Sequence, residues 1–196
     1  MIGIIDYEAG NLASVSNALE SIDTRFIVSP LASRLSDCSG IILPGVGAAP
    51  LAMSSLHRQG LVGFIQKLRR PFLGICLGMQ LLYEKSEEGQ TDCLGIASGP
   101  VREFDATAAR VPHMGWNEVV FQAGNGLAEP AGEKASFYFA HSYYAPVGAE
   151  TSGVTECGIS FSAAIRVENF YGVQFHPEKS GTAGLRLLKS FCNLCE

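Results

Sequence analysis

The chain has 196 residues, 47% of them hydrophobic and 17% charged, which is enough to bury a sizeable core in one domain over residues 1–196 and too apolar for a disordered segment. With 14 basic against 19 acidic side chains the net charge is −5, which excludes the basic footprint of a nucleic-acid binder. No stretch approaches the ~18 apolar residues of a membrane span, and MIGIIDYE meets Asp6 too early for a signal-peptide core, so no membrane partner and a cytoplasmic location are expected.

In chain order, IGIID reads as a strand and the GN at residues 10–11 as a turn with an N-cap. Leu12, Val15, Leu19 and Ile22 then recur at helical spacing. RFIVS is a second strand and GIILPG a third. Residues 48–69 have a helical pattern with a break at Gly60, and FLGIC is a fourth strand that feeds a helix from Leu77. Strand–helix alternation with nearly continuous apolar strands predicts a parallel sheet covered on both faces.

The second half changes character. VREF, NEVVF, SFYFAHSYYA, SAAIRV and FYGVQF are strand-like runs separated by turn residues, which predicts antiparallel additions. A last helix from about Gly181 carries Leu185, Leu188 and Cys192 on one stripe and Leu187, Phe191 and Cys195 on the next. The Cys192/Cys195 pair has no second ligand pair or βαβ context, so it reads as two buried thiols rather than a redox or zinc motif. The expected fold is a three-layer α/β domain with a mixed, mainly parallel central sheet and antiparallel additions in the C-terminal half.

The pattern G-I-C-L-G around Cys76 is that of a nucleophile at a strand-to-helix bend. Such a bend strains the backbone, needs small neighbours, and sets a thiolate against the free N–H groups of a helix start. A buried structural cysteine at a strand end is the alternative reading of the pentapeptide. Among four histidines, His57 falls late in a helical pattern on the solvent side, and His113 and His141 lie in strand-like segments. His176, in FHPE, ends an apolar strand with Glu178 two residues on, where a carboxylate can fix the imidazole tautomer. PGVG at 44–47 closes the third strand, and two glycines there can turn backbone N–H groups inward, Gly45 and Gly47 both permitting positive φ. The N–H of Leu77 supplies a second donor. As a turn, PGVG also has an ordinary structural reading.

GICLGMQLL together with GVQFHPEKS resembles the class I, triad-type glutamine amidotransferases. DYEAGNLASV, LPGVGA, PHMGWNEV and FYFAHSYY narrow the resemblance to the glutaminase subunits of imidazole glycerol phosphate synthases, from Ile4 to Phe191. The resemblance implies Cys76 as nucleophile, His176 as base and Glu178 as the orienting carboxylate. Val46, Gly47 and Leu77 would supply the oxyanion amides, with Gln80, Ser142 and Tyr143 holding the substrate. It implies hydrolysis of L-glutamine to glutamate and ammonia with no metal or organic cofactor. It also implies a heterodimer with a (β/α)₈-barrel cyclase subunit that uses the ammonia to make imidazole glycerol phosphate and an aminoimidazole carboxamide ribotide. Lys179, Met114 and Trp116 are the interface candidates.

Two positions depart from the pattern: Glu8, where D-Y-G-x-G-N has glycine, and Ala49, where an aromatic commonly follows P-G-V-G-A. Both bear on local packing or partner contacts rather than the triad. A sister amidotransferase subunit, a γ-glutamyl peptidase and a non-catalytic binding module are the rival readings. The DYEAGN and HMGWN stretches oppose the first, the absence of a signal the second, and the presence of all three triad residues the third.

Overall fold

The computed structural model describes residues 1–8, 10–107, 111–122, 124, 126, 127, 132 and 134–196. Ala9, within the quoted DYEAGN, lies outside them. The first half alternates as expected: β1 (Ile2–Ile5), α1 (Leu12–Ser21), β2 (Phe26–Ser29), α2 (Ala32–Leu35), β3 (Gly40–Leu43), α3 (Ala49–Arg58), α4 (Leu61–Gln66), β4 (Phe72–Ile75) and α5 (Leu77–Gln80). Asn11 caps α1 through its side chain, which accepts from the Ser14 N–H. The helical run at 48–69 divides at Gly60, where φ is +68. The helix after Cys76 is shorter than its sequence pattern suggests, a single turn that ends at Gln80.

The second half begins with the short strands β5 (Lys85–Ser86) and β6 (Thr91–Asp92), then β7 (Pro100–Glu103). It continues through β8 (His113–Phe121), β9 (Lys134–His141), β10 (Tyr143–Tyr144), β11 (Thr151–Cys157), β12 (Ile159–Val167) and β13 (Phe170–Val173), and ends in α6 (Gly181–Leu194). The main sheet runs in the order β2-β1-β3-β4-β13-β12-β11-β8-β9. β1 to β4 pair in parallel, and β8, β9, β11 and β12 form the antiparallel extension.

Two of the five strand-like runs pair antiparallel on one side, β13 with β12 and β7 with β10, but parallel on the other. β13 inserts beside β4 in parallel, with Val173 opposite Ile75, and so brings the chain before His176 next to the chain before Cys76. β7 leaves the main sheet for a small one of order β10-β7-β5-β6, and SFYFAHSYYA splits between β9 and β10. β1, β3, β4 and β13 are buried along their whole length, as strands covered on both faces must be. On α6, Leu187, Leu188, Phe191 and Cys192 are buried in the core, and Cys195 joins them as a free thiol. Among the described residues, no helix is long and apolar enough to cross a membrane.

Candidate active site

Parallel strands deliver their C-terminal ends to one edge of a sheet, and the loops there face a common space. β4 ends at Cys76, β13 is followed by His176, and β3 is followed by Pro44-Gly45-Val46-Gly47. Cys76 stands at φ +53, ψ −110, between β4 and α5, in a conformation that a side chain seldom adopts. The close approach of strand and helix explains its neighbours. A Cβ on Gly78 would come within 2.0 Å of the Leu43 carbonyl oxygen, and one on Gly74 within 2.5 Å of the Gly78 carbonyl oxygen. The Cys76 N–H donates to the Val173 carbonyl at 2.7 Å, which fixes the bend to β13.

His176 is held by backbone on both sides. Its N–H donates to the Tyr138 carbonyl at 2.8 Å, and its carbonyl accepts from the Ser180 hydroxyl at 2.6 Å. Its Nδ1 lies 2.8 Å from Glu178 Oε1. The route of that contact differs from the extended one expected: Pro177 opens a 3₁₀ turn over Pro177–Lys179, which folds Glu178 back under the ring. On its other side the ring interacts with the Cys76 side chain. Burial works to lower the basicity of His176, but its interactions with Cys76 and Glu178 outweigh it and raise its pKa to about 10. The arrangement sets an imidazole, backed by a carboxylate, beside the thiol, where it can exchange a proton with the sulfur.

Cys76, His176, Gln80, Ser142, Tyr143, Val46, Gly47, Leu77, Met114 and Lys179 line one cavity of about 290 Å³. Glu178 stands behind it, as an orienting carboxylate should, and Trp116 lies outside it, exposed on β8 against Tyr138 with ring centroids 6.3 Å apart. Gly47 has the expected positive φ, +102. Gly45 does not. It is glycine because a Cβ would meet the Gly78 nitrogen at 2.5 Å and the Leu77 Cβ at 2.6 Å, so PGVG packs directly on the elbow. Leu77 is the first residue of α5, a position whose N–H has no carbonyl one turn back within the helix.

The two departures have local explanations. Glu8 occupies φ +66, the left-handed region that glycine fills at no cost, and its carboxylate pairs with Arg58 at 2.6 Å. Ala49 is fully buried at the start of α3, and its N–H donates to Glu88 Oε2 at 2.7 Å. His141 lines the cavity and pairs with His113 behind it, Nε2 to Nδ1 at 3.0 Å. Burial pushes His141 down to about 3 and lowers His113, so both stay neutral. His141 then donates from Nδ1 to the Tyr143 carbonyl at 2.7 Å and accepts from His113, which steadies the Ser142–Tyr143 turn.

Sequence reasoning missed Glu88 and Gln174. Glu88 puts a carboxylate in the cavity wall, and no local pattern in KSEEGQ announces it. Gln174 is fully buried, with its amide 3.7 Å from the Cys76 sulfur. Its position two residues before His176 was the available signal, because alternate residues of an extended segment share a side.

The chain matches the glutamine amidotransferase class-I family over residues 3–194. It is 45% identical over 194 residues to the imidazole glycerol phosphate synthase subunit HisH of Xanthomonas campestris pv. campestris, covering 98% of this chain and 97% of that one. Its identity to the subunit of the same name from Bacillus cereus is 43% over 202 residues, covering 100% and 96%. In fold it is similar to PurLQS from Thermotoga maritima, with a TM-score of 0.78 at 19% identity over 100% of this chain and 98% of that one. A structure described as a glutamine amidotransferase gives 0.77 at 17% identity, over 99% and 98%.

Proposed function

This chain belongs to the class I glutamine amidotransferase family, and on that footing we propose that it is the glutaminase subunit of an imidazole glycerol phosphate synthase. The observation that carries the reading is the strained Cys76 facing His176, which Glu178 orients from behind.

In the proposed reaction His176 takes the Cys76 proton, and the sulfur adds to the side-chain carbonyl carbon of L-glutamine. The carbonyl oxygen becomes an oxyanion held by the N–H groups of Leu77 and of the Val46–Gly47 segment, donors worth about 2.7–4 kcal/mol each when correctly aimed. The C–N bond breaks, and ammonia leaves with the proton that His176 returns. Water, deprotonated by His176, then adds to the γ-glutamyl thioester, and C–S cleavage releases glutamate and restores the thiol. Gln80, Ser142 and Tyr143 hold the amino-acid end, and Glu88 receives its ammonium group.

Ammonia has value only at a second site, and the proposed partner is a (β/α)₈-barrel cyclase subunit in a cytoplasmic heterodimer. The relatives' printed name, a synthase subunit, supports this. So does the surface beside the cavity mouth. Met114 and Trp116 are 63% and 60% exposed, and Lys179 Nζ lies 5.9 Å from the Tyr138 ring centroid, next to Trp116. Large exposed apolar groups with a cation among them suit an interface.

The test is reconstitution. The chain co-purifies one-to-one with a barrel subunit, and glutamine then supports formation of imidazole glycerol phosphate. A solitary chain with full hydrolase activity on γ-glutamyl peptides overturns the reading.

A further inference from the structure

A backbone carbonyl and two buried side-chain amides run from the substrate wall to the nucleophile. Gln80 Nε2 lies 2.9 Å from the Tyr143 carbonyl oxygen and 3.0 Å from Gln174 Oε1, and Gln174 Nε2 lies 3.7 Å from the Cys76 sulfur. The orientation of both amides follows from chemistry. A backbone carbonyl can only accept, so the Gln80 atom facing Tyr143 is its NH₂. The same NH₂ faces Gln174, so the Gln174 atom opposite it is the oxygen. The remaining end of Gln174, toward the sulfur, is therefore an NH₂, which can only donate.

The thiol proton has another outlet, the Ala140 carbonyl 3.9 Å from the sulfur. The Gln174 bond thus persists when the proton leaves, and it strengthens, because a donor to a charged acceptor is worth more than one to a neutral acceptor. The backbone of Gln174 is tied to the Ala163 carbonyl at 2.8 Å, and its side chain has no exposure to water. It cannot turn away from the sulfur without leaving Gln80 with one acceptor fewer.

We propose that Gln174 is a positioning residue for the reaction, an amide clamp that holds the Cys76 sulfur toward His176 and ties it to Gln80. The inference rests on the reading of Cys76 as the nucleophile. The clamp acts on the sulfur rather than on glutamine, so it sets how readily Cys76 becomes and remains a thiolate. Because Gln80 lies in the substrate wall, the same chain of bonds links that wall to the nucleophile.

The test measures alkylation of the full chain by iodoacetamide across pH, with the adduct on Cys76 quantified by peptide mass, in wild type, Gln174→Leu and Gln174→Glu. Loss of the donor in Gln174→Leu is expected to move the alkylation midpoint to higher pH and to slow labelling at neutral pH about tenfold. Gln174→Glu, which sets a carboxylate beside the sulfur, is expected to move it further. Glutaminase kcat should fall about tenfold in Gln174→Leu while KM stays within about twofold, since Gln80 keeps the Tyr143 carbonyl. If Gln174→Leu does not fold, the isosteric Gln174→Glu carries the comparison. Variants whose profiles coincide with wild type overturn the clamp while leaving Cys76 as nucleophile. A wild type labelled on other cysteines with Cys76 untouched overturns both.

Discussion

Nδ1 of His176 stands 2.8 Å from Oε1 of Glu178, in a pair whose side chains are 3% and 1% exposed. The carboxylate is sealed from water, and its Oε2 has no hydrogen-bond partner among the described residues, so its interaction with the imidazole is concentrated in one bond. Glu178→Gln keeps the shape but can present an N–H to Nδ1 and stabilise the wrong tautomer. Glutaminase kcat is expected to fall about 10²–10⁴-fold with KM changed far less, as measured by glutamate release. Unchanged kcat would remove Glu178 from the mechanism.

The raised pKa of His176 also predicts a pH dependence of stability. Its folded value, about 10, lies above the ordinary 6.5, so the native state binds the proton more tightly. The resulting stabilisation is fully present below pH 6.5 and is lost as pH rises through about 10. Denaturant titrations of wild type and His176→Gln at a series of pH values should show a gap that shrinks across that window. His141 has the opposite sign. Burial holds it near 3, so its contribution is present above pH 6.5 and is lost as pH falls toward 3. A wild type to His141→Gln difference that changes only on the alkaline side would contradict this assignment.

Two glycines should respond in opposite directions. Gly78→Ala drives a Cβ into the Leu43 backbone oxygen, which cannot move without disrupting β3, and is expected to cost about 3 kcal/mol and to distort the elbow. Gly63, in α4, has nothing within 4 Å of the added Cβ, so Gly63→Ala should stabilise by about 0.5–1 kcal/mol. Thermal melting of the two variants measures the pair, and a harmless Gly78→Ala would show that the elbow is looser than its contacts indicate.

Glu8 trades backbone strain for an exposed ion pair. Leaving the left-handed region is worth about 1 kcal/mol, and a surface pair such as Glu8–Arg58 contributes about 0–1 kcal/mol. Glu8→Gly is therefore expected to leave the stability within about 1 kcal/mol of wild type, read by denaturant titration. Glu8→Ala keeps the strain, loses the pair, and should be the less stable of the two. The reverse ranking would mean that the left-handed backbone at residue 8 costs less than the conformational freedom that glycine adds to the unfolded chain.

The parts legible in the sequence were local ones. G-I-C-L-G announced the elbow because its geometry is made by five adjacent residues; the expected strain takes the form of a positive φ at Cys76, and close contacts require Gly74 and Gly78. The alternation from Ile2 to Ile75 gave the parallel half for the same reason, since each strand and helix carries its own periodicity. What stayed hidden was non-local. FYGVQF is apolar like its neighbours, and only the packing partner decides that β13 runs parallel to β4. Glu88 reaches the cavity through a loop contact with Ala49, and Gln174 through a bond to Gln80 spanning 94 positions. Gly45 was read for its freedom, whereas its reason is the crowding of Leu77 and Gly78.

The central claim is that the Cys76 sulfur, next to His176, forms the covalent bond to glutamine. It is tested most directly by inactivating the chain, in complex with the proposed barrel subunit, with a diazo-ketone analogue of glutamine and mapping the adduct by peptide mass. The account predicts one adduct, on Cys76, accumulating in step with the loss of glutaminase activity and absent from Cys76→Ala. Complete inactivation with Cys76 unmodified would contradict it.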